Sequence, residues 1–257
     1  MIALMYHDIE AVGCPNEKLG TSAYYYVTSA KTFRLHLEII RSLHLDVLTL
    51  SGYWRAMKEG SINPNDTVIL TFDDGHESIE RVAMPIMNEF GYAGTTQVIA
   101  GFVGKPNKHT LDEQQLHRLC HAGWDIGGPG FYPVVLTELH DGKLEFELCE
   151  TKRILEQALH KPIEMMSIPH GPYDRRVRSA IVNAGYQASL CSSPGINRTG
   201  TDRFSLRRMT VHQRVDLLTF RKIVTRHAPF YLRERLRRFA YLSLQRLLES
   251  LIHLRGE

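Results

Sequence analysis

The chain has 257 residues, 43% of them hydrophobic and 23% charged, with a formal net charge of +3, which suits a soluble α/β protein with a sizeable core. Between Tyr231 and Glu257 six arginines stand against three glutamates, so the rest of the chain is neutral overall, which excludes a dedicated nucleic-acid binder with its strongly basic face. No stretch of about 18 uninterrupted apolar residues occurs, so no transmembrane helix is expected. Cys14, Cys120, Cys149 and Cys191 are scattered without a CxxC pair, which argues against a disulfide framework or a zinc knuckle and for reduced thiols.

In chain order, the opening "MIALMYHDIE" is an apolar run without a basic leader or cleavage site; it reads as a first strand, Ile2–Tyr6, and points to a cytoplasmic protein. Residues 9–27 lack periodicity and are expected to form a long loop of the functional or mobile kind. "SAKTFRLHLEIIRSLH" follows as a helix, with Ser29 as N-cap and Phe33, Leu37, Ile40 and Leu43 on one face. Strands are expected at Asp46–Leu50, Thr67–Phe72, Thr95–Ala100, Trp124–Gly127, Glu164–Ile168 and Ala188–Cys191. Helices are expected at "LDEQQLHRLCHAG", at "KLEFELCETKRILEQALH" after a loop at Asp141–Gly142, and at "DRRVRSAIVNAG", closed by Gly185. Short β-rich runs alternating with helices favour a largely parallel α/β architecture.

The last segment differs from the rest. At 100° per residue Leu232, Leu236, Phe239, Ala240, Leu247, Leu251 and Leu254 share a face, with Glu234, Arg235, Arg238, Gln245, Arg246 and Glu249 mostly opposite. Such a basic amphipathic helix packs on its own domain or on a second subunit, or lies on an anionic membrane surface.

"VILTFDDGHES", Val68 to Ser78, is the strongest chemical signal: an apolar strand runs into two adjacent carboxylates and a glycine. In parallel α/β folds ligands bind at the C-terminal ends of strands, and paired carboxylates there suit metal binding by one and proton abstraction by the other. The plainer alternative is a turn with a helix N-cap at Asp73-Asp74-Gly75.

The "TFDDG" motif after its strand resembles the first motif of the polysaccharide deacetylases (the NodB-homology domain, carbohydrate esterase family four). The likeness spans roughly residues 1–212: "LMYHDI" resembles an opening strand of one subgroup, "AGWDIGG…LTEL" matches "AGHEIGSHTVTHPDLTEL" in register, and "TKRILEQALHKPIEMMSIPHGPYDRRVRSAIVNAGYQASL" follows the third motif and its helix. The resemblance implies a single α/β domain, a distorted (β/α) barrel, over residues 1–228, with a C-terminal amphipathic helix added over 229–257. It also implies hydrolysis of a non-peptide carbon–nitrogen bond, the N-acetyl group of an amino-sugar glycan or its precursor, with a divalent metal, zinc or similar, as cofactor. Carried over by position, Asp73 matches the catalytic base and Asp74 the metal-binding aspartate, while Pro169 and His170 stand in the "xPYG" motif that offers a backbone amide to an oxyanion. Ser167 takes the place of an arginine that orients the base in some members. The two ligand histidines are replaced by Pro129 and Pro133, and proline offers a metal no lone pair.

Three readings follow. The metal site is rebuilt, with His7, His76 and His170 converging on Asp73 and Asp74 at one mouth. Or the chain is a metal-free amide hydrolase, with Asp73 as base and His170 or His7 as acid or oxyanion donor. In that reading the loop from Gly128 carries Phe131 and Tyr132 as stacking walls of the pocket. Or it is a non-catalytic homologue that binds a glycan or a partner protein. His117 and His121 have metal-like i, i+4 spacing, but on a helix expected to cover the outside of the barrel, so a surface coincidence is the better account. If residues 231–257 contact a membrane rather than a second copy, the protein sits on its inner face and a lipid-linked glycan becomes attractive.

Overall fold

The computed structural model describes residues 1–11, 21–105, 109–171, 173–234, 236 and 237. Ten short strands are wound in parallel: β1 (Ile2–Tyr6), β2 (Asp8–Glu10), β3 (Val27–Ser29), β4 (Asp46–Leu48), β5 (Thr67–Phe72), β6 (Thr95–Gln97), β7 (Asp125–Gly127), β8 (Met165–Ser167), β9 (Ala188–Leu190) and β10 (Arg208–Thr210). The main sheet runs β10-β1-β5-β6-β7, with β4 on the first half of β5; β8 pairs β9, and β2 pairs β3. Isolated bridges from Gly128 to Met166 and from Leu190 to Leu206 carry the circuit across the two seams between the main sheet and the β8–β9 pair. The result is a distorted (β/α) barrel whose ladder is interrupted at both seams.

The strands read as continuous apolar runs because both their faces are covered. Met1, Ala3, Ile69, Met165, Ala188, Leu190 and Leu206 pack together in one core cluster, and Ile2, Leu4, Tyr6, Val68, Leu70 and Phe72 belong to a second one shared with the helices. Those helices are α1 (Ala30–Ser42), α2 (Leu50–Glu59), α3 (Met84–Asn88), α4 (Glu113–His121), α5 (Asp141–Leu159), α6 (Arg175–Asn183) and α7 (Leu217–Val224). Helix α1 forms as its pattern predicts: the Ser29 hydroxyl accepts from the Thr32 amide, and Phe33, Leu37 and Ile40 are buried.

Several boundaries depart from expectation, each for a local reason. The strand expected at Asp46–Leu50 stops at Leu48, because Thr49 caps α2 through its Oγ1 and Leu50 begins that helix. The strand expected to reach Ala100 stops at Gln97, and residues Ala100–Phe102 form a 3-10 turn. Asp141 and Gly142 are not a loop but the first turn of α5, capped by the His140 ring. The expected loop at 9–27 contains part of β2, a 3-10 turn at Ser22–Tyr26 and the start of β3.

No helix among the described residues is long and apolar enough to cross a membrane. Most of the expected C-terminal amphipathic helix (residues 235 and 238–257) lies outside the described residues. Residues 228–234 are helical, and Phe230 and Tyr231 are buried in the main core while Leu232 and Leu236 are exposed.

Candidate active site

Strand β5 ends in a sharp turn. Asp74 and Gly75 both adopt left-handed backbone, φ 70° and 68°, a conformation aspartate tolerates better than most residues and glycine best of all. At Gly75 a Cβ would meet Val98 at 3.0–3.1 Å, so only glycine fits. The turn sets two neighbouring carboxylates in different surroundings: Asp73 is buried and Asp74 exposed.

Asp73 is held by a residue that the motif does not contain. The Arg208 guanidinium donates to both its carboxylate oxygens, Nη1 to Oδ1 at 2.6 Å and Nη2 to Oδ2 at 2.8 Å. Arg208 is buried, with Nη1 also reaching Thr71 Oγ1 at 3.2 Å and Nε the Cys191 carbonyl at 3.3 Å. A bidentate, desolvated pair of this kind is held far more rigidly than an exposed one. The arginine comes from β10 rather than from the Ser167 position. Sequence reading did not single out Arg208, yet a signal exists: in "LRRMTV" strand alternation must turn one of two adjacent arginines inward.

Above this pair lies a cavity of about 440 Å³ lined by Met5, His7, Tyr26, Asp73, Asp74, Pro129, Pro133, Ser167, Ile168, Pro169, His170, Ser192 and Thr210. Of the expected site residues, His7, Asp73, Asp74, Pro169 and His170 thus share one mouth, and the two prolines stand on its rim, where the alignment of motifs puts them. His170, itself at φ 56°, has Nε2 at 3.0 Å from the Pro133 carbonyl oxygen. A carbonyl only accepts, so Nε2 carries the proton and donates it. The third motif is thereby tied to the rim loop.

The other expected residues lie elsewhere. His76 does not line the cavity: its Nδ1 lies 3.0 Å from Ser78 Oγ and 3.1 Å from Asp8 Oδ1, and Ser78 Oγ in turn donates to that Asp8 oxygen at 2.6 Å. Gly128 is required for packing, because a Cβ there would strike Thr151 Cγ2 at 2.5 Å. Phe131 and Tyr132 do not line the cavity: the half-buried Phe131 ring packs against the main core and edge-on to Phe146 at 5.4 Å, and Tyr132 is 45% exposed beside Phe102. Their loop is held by the buried carboxylate of Glu147 of α5, which accepts from the Tyr132 amide at 2.8 Å, and by the Gly101 amide, which donates to the Phe131 carbonyl at 2.9 Å. His117 and His121 lie on α4, whose buried side is Gln115, Leu116 and Leu119.

The aromatic contribution to the cavity comes instead from Tyr26, within the span read as a loop. Its ring sits 4.7 Å from that of His7 and 5.1 Å edge-on from Tyr25. Tyr25 stacks on His212 at 4.2 Å with the Arg214 guanidinium 5.7 Å from its ring. Burial, then the Arg214 charge, lowers the His212 imidazole below its usual range, and burial chiefly raises the Tyr25 phenol.

Catalytic zinc takes three protein ligands and keeps one position open; here Asp73 is clamped by Arg208, positions 129 and 133 are prolines, and Asp74, His7 and His170 share the mouth. Among the described residues no group of three or more His, Cys, Asp or Glu side chains is arranged to hold a metal ion.

The fold and site are thus a parallel α/β barrel with an Asp-Asp-Gly turn at a strand end and a pocket over it. Residues 60–189 match the polysaccharide deacetylase family, and the chain belongs to that family. It is 25% identical over 202 residues to YxkH of Bacillus subtilis (strain 168), a protein named for polysaccharide deacetylase, covering 76% of this chain and 71% of that one. It is 28% identical over 134 residues to the poly-beta-1,6-N-acetyl-D-glucosamine N-deacetylase of Staphylococcus aureus (strain NCTC 8325 / PS 47), covering 49% of this chain and 46% of the relative, so the match spans less than half of that protein. Among solved structures, the Streptococcus pyogenes deacetylase PplD in complex with acetate superposes with a TM-score of 0.77 at 20% identity, over 87% of this chain and 97% of the other. IcaB from Ammonifex degensii gives 0.73 at 18% identity, over 87% and 96%.

Proposed function

We propose that the protein binds an amino-sugar glycan in the Asp73–Asp74 cavity without carrying out metal-dependent deacetylation. One observation carries this reading: Pro129 and Pro133 line the rim of the cavity that holds Asp74, so the two positions that would supply imidazoles cannot ligate. Family membership and a relative named for acting on poly-beta-1,6-N-acetyl-D-glucosamine support the glycan class. A cavity of about 440 Å³ is within the range of small-ligand sites. The basic segment from Tyr231 to Glu257 supports a place on the inner face of an anionic membrane, where a lipid-linked glycan would be met. Titration calorimetry with N-acetylglucosamine oligomers, with and without chelator, tests the reading. Equal affinity in both, with no acetate released when zinc is added, is the expected result; zinc-dependent release of acetate would sink it.

The Asp73–Arg208 pair supports a second reading, a metal-independent amide hydrolase with Asp73 as the base. Hydrolysis that survives chelation and vanishes in Asp73→Asn would select it.

A further inference from the structure

The cavity's lining is chemically of two kinds. Asp74, Ser167, Ser192 and Thr210 bring carboxylate and hydroxyl groups, whereas His7 and Tyr26 bring rings. Tyr26 is 40% exposed although it lines the cavity, so its ring is not consumed by packing.

Three separate segments hold that ring in place. His7 follows β1 and approaches it at 4.7 Å. Tyr25 precedes it in the 3-10 turn and approaches edge-on at 5.1 Å. The segment after β10 braces Tyr25 from behind: His212 stacks on it at 4.2 Å, and the Gln213 amide donates to the Tyr25 carbonyl at 3.0 Å. His212 is itself oriented, because its Nδ1 accepts from the Arg214 amide at 3.2 Å. A tyrosine fixed by neighbours loses little rotamer freedom when a ligand lies on it, and an aromatic ring left partly exposed at a cavity marks a contact surface.

A pyranose ring is amphiphilic in the matching sense. One face is made of C–H groups, which lie well on an aromatic ring, while its edge carries hydroxyl and amide groups that need hydrogen-bond partners. Resting on the glycan-binding reading above, we infer that Tyr26, braced by Tyr25 and His212, is the stacking platform that selects a pyranose ring at this cavity. Its neighbour His7 adds a second ring, and the polar lining residues take the hydroxyl edge. Phe131 and Tyr132, which do not line the cavity, have no part in it.

The test titrates the N-acetylglucosamine trimer into the wild-type chain and into Tyr26→Ala, Tyr26→Leu and Tyr26→Phe, with saturation-transfer NMR from protein aromatic protons to the sugar C–H protons. Tyr26→Ala should bind about tenfold more weakly and Tyr26→Phe within about threefold of wild type. Transfer to the ring protons should persist in wild type and Tyr26→Phe and be lost in Tyr26→Leu. The leucine variant keeps apolar bulk in the turn, so it reports on the ring face even if the alanine variant folds poorly. Wild-type binding that Tyr26→Ala and Tyr26→Leu leave unchanged would overturn the platform and leave the glycan reading standing. A wild-type chain that binds no amino-sugar oligomer would overturn both.

Discussion

The floor and the rim of one cavity are built in opposite ways. On the floor, Asp73 is locked to a buried arginine that also reaches Thr71 and the Cys191 carbonyl. On the rim, prolines stand at both positions where family resemblance places histidines. The difference follows from burial. The floor is part of the barrel interior, and removing either partner of the pair leaves an uncompensated charge out of water. The rim is a loop whose conformation is set by Gly130 and by Glu147 binding the Tyr132 amide, so its side chains can change without exposing a charge to the core. Retention of the aspartate pair therefore does not by itself report retention of the chemistry; a stability requirement is enough to keep Asp73.

That contrast can be broken most directly at Arg208. Arg208→Met should cost about 3–5 kcal/mol in denaturant unfolding, the loss expected when one member of a buried pair is removed; a cost under about 1 kcal/mol would show that the floor is not kept for stability. Gly75→Ala comes next. The left-handed backbone and the Val98 contact at 3.0–3.1 Å should lower stability by about 2 kcal/mol and disturb the Asp74 position, read as a weaker response to glycan. The smallest effect on stability is expected at the rim. Pro133 is exposed, so Pro133→His alone should change unfolding free energy by less than about 1 kcal/mol, as surface loop substitutions do, whereas Pro129 is buried and the double variant Pro129→His with Pro133→His should cost more. That double variant should gain a stoichiometric divalent ion by elemental analysis, lost again in Asp74→Ala. A double variant that binds no metal would mean the rim loop no longer presents those positions to Asp74.

Much of this was legible without coordinates. The runs at Ile2–Tyr6 and Thr67–Phe72, the Ser29-capped helix and the Asp-Asp-Gly turn are local features, and each formed where its pattern put it. Phe131 and Tyr132 misled because loop side chains carry no periodicity. That loop is held by the Glu147 carboxylate, fifteen residues beyond Tyr132 and on another element, and by the Gly101 amide, thirty residues before Phe131. His76 misled for a similar reason, since Asp8 and Ser78 claim its ring from β2 and the turn after β5.

By itself the sequence determined seven of the strands, four of the helices and the family, though not β2, β3, β10, α2, α3 or α7, because strand and helix periodicity and the Asp-Asp-Gly turn are properties of residue type and short spacing. Tertiary structure alone decided who stands next to Asp73. Arg208 is separated from it by 135 positions and reaches it only because β10 returns to pair beside β1, which pairs β5. It likewise decided that Tyr26 rather than Tyr132 faces the cavity. Such contacts depend on which strands become neighbours around the barrel, and side-chain chemistry carries no local record of that.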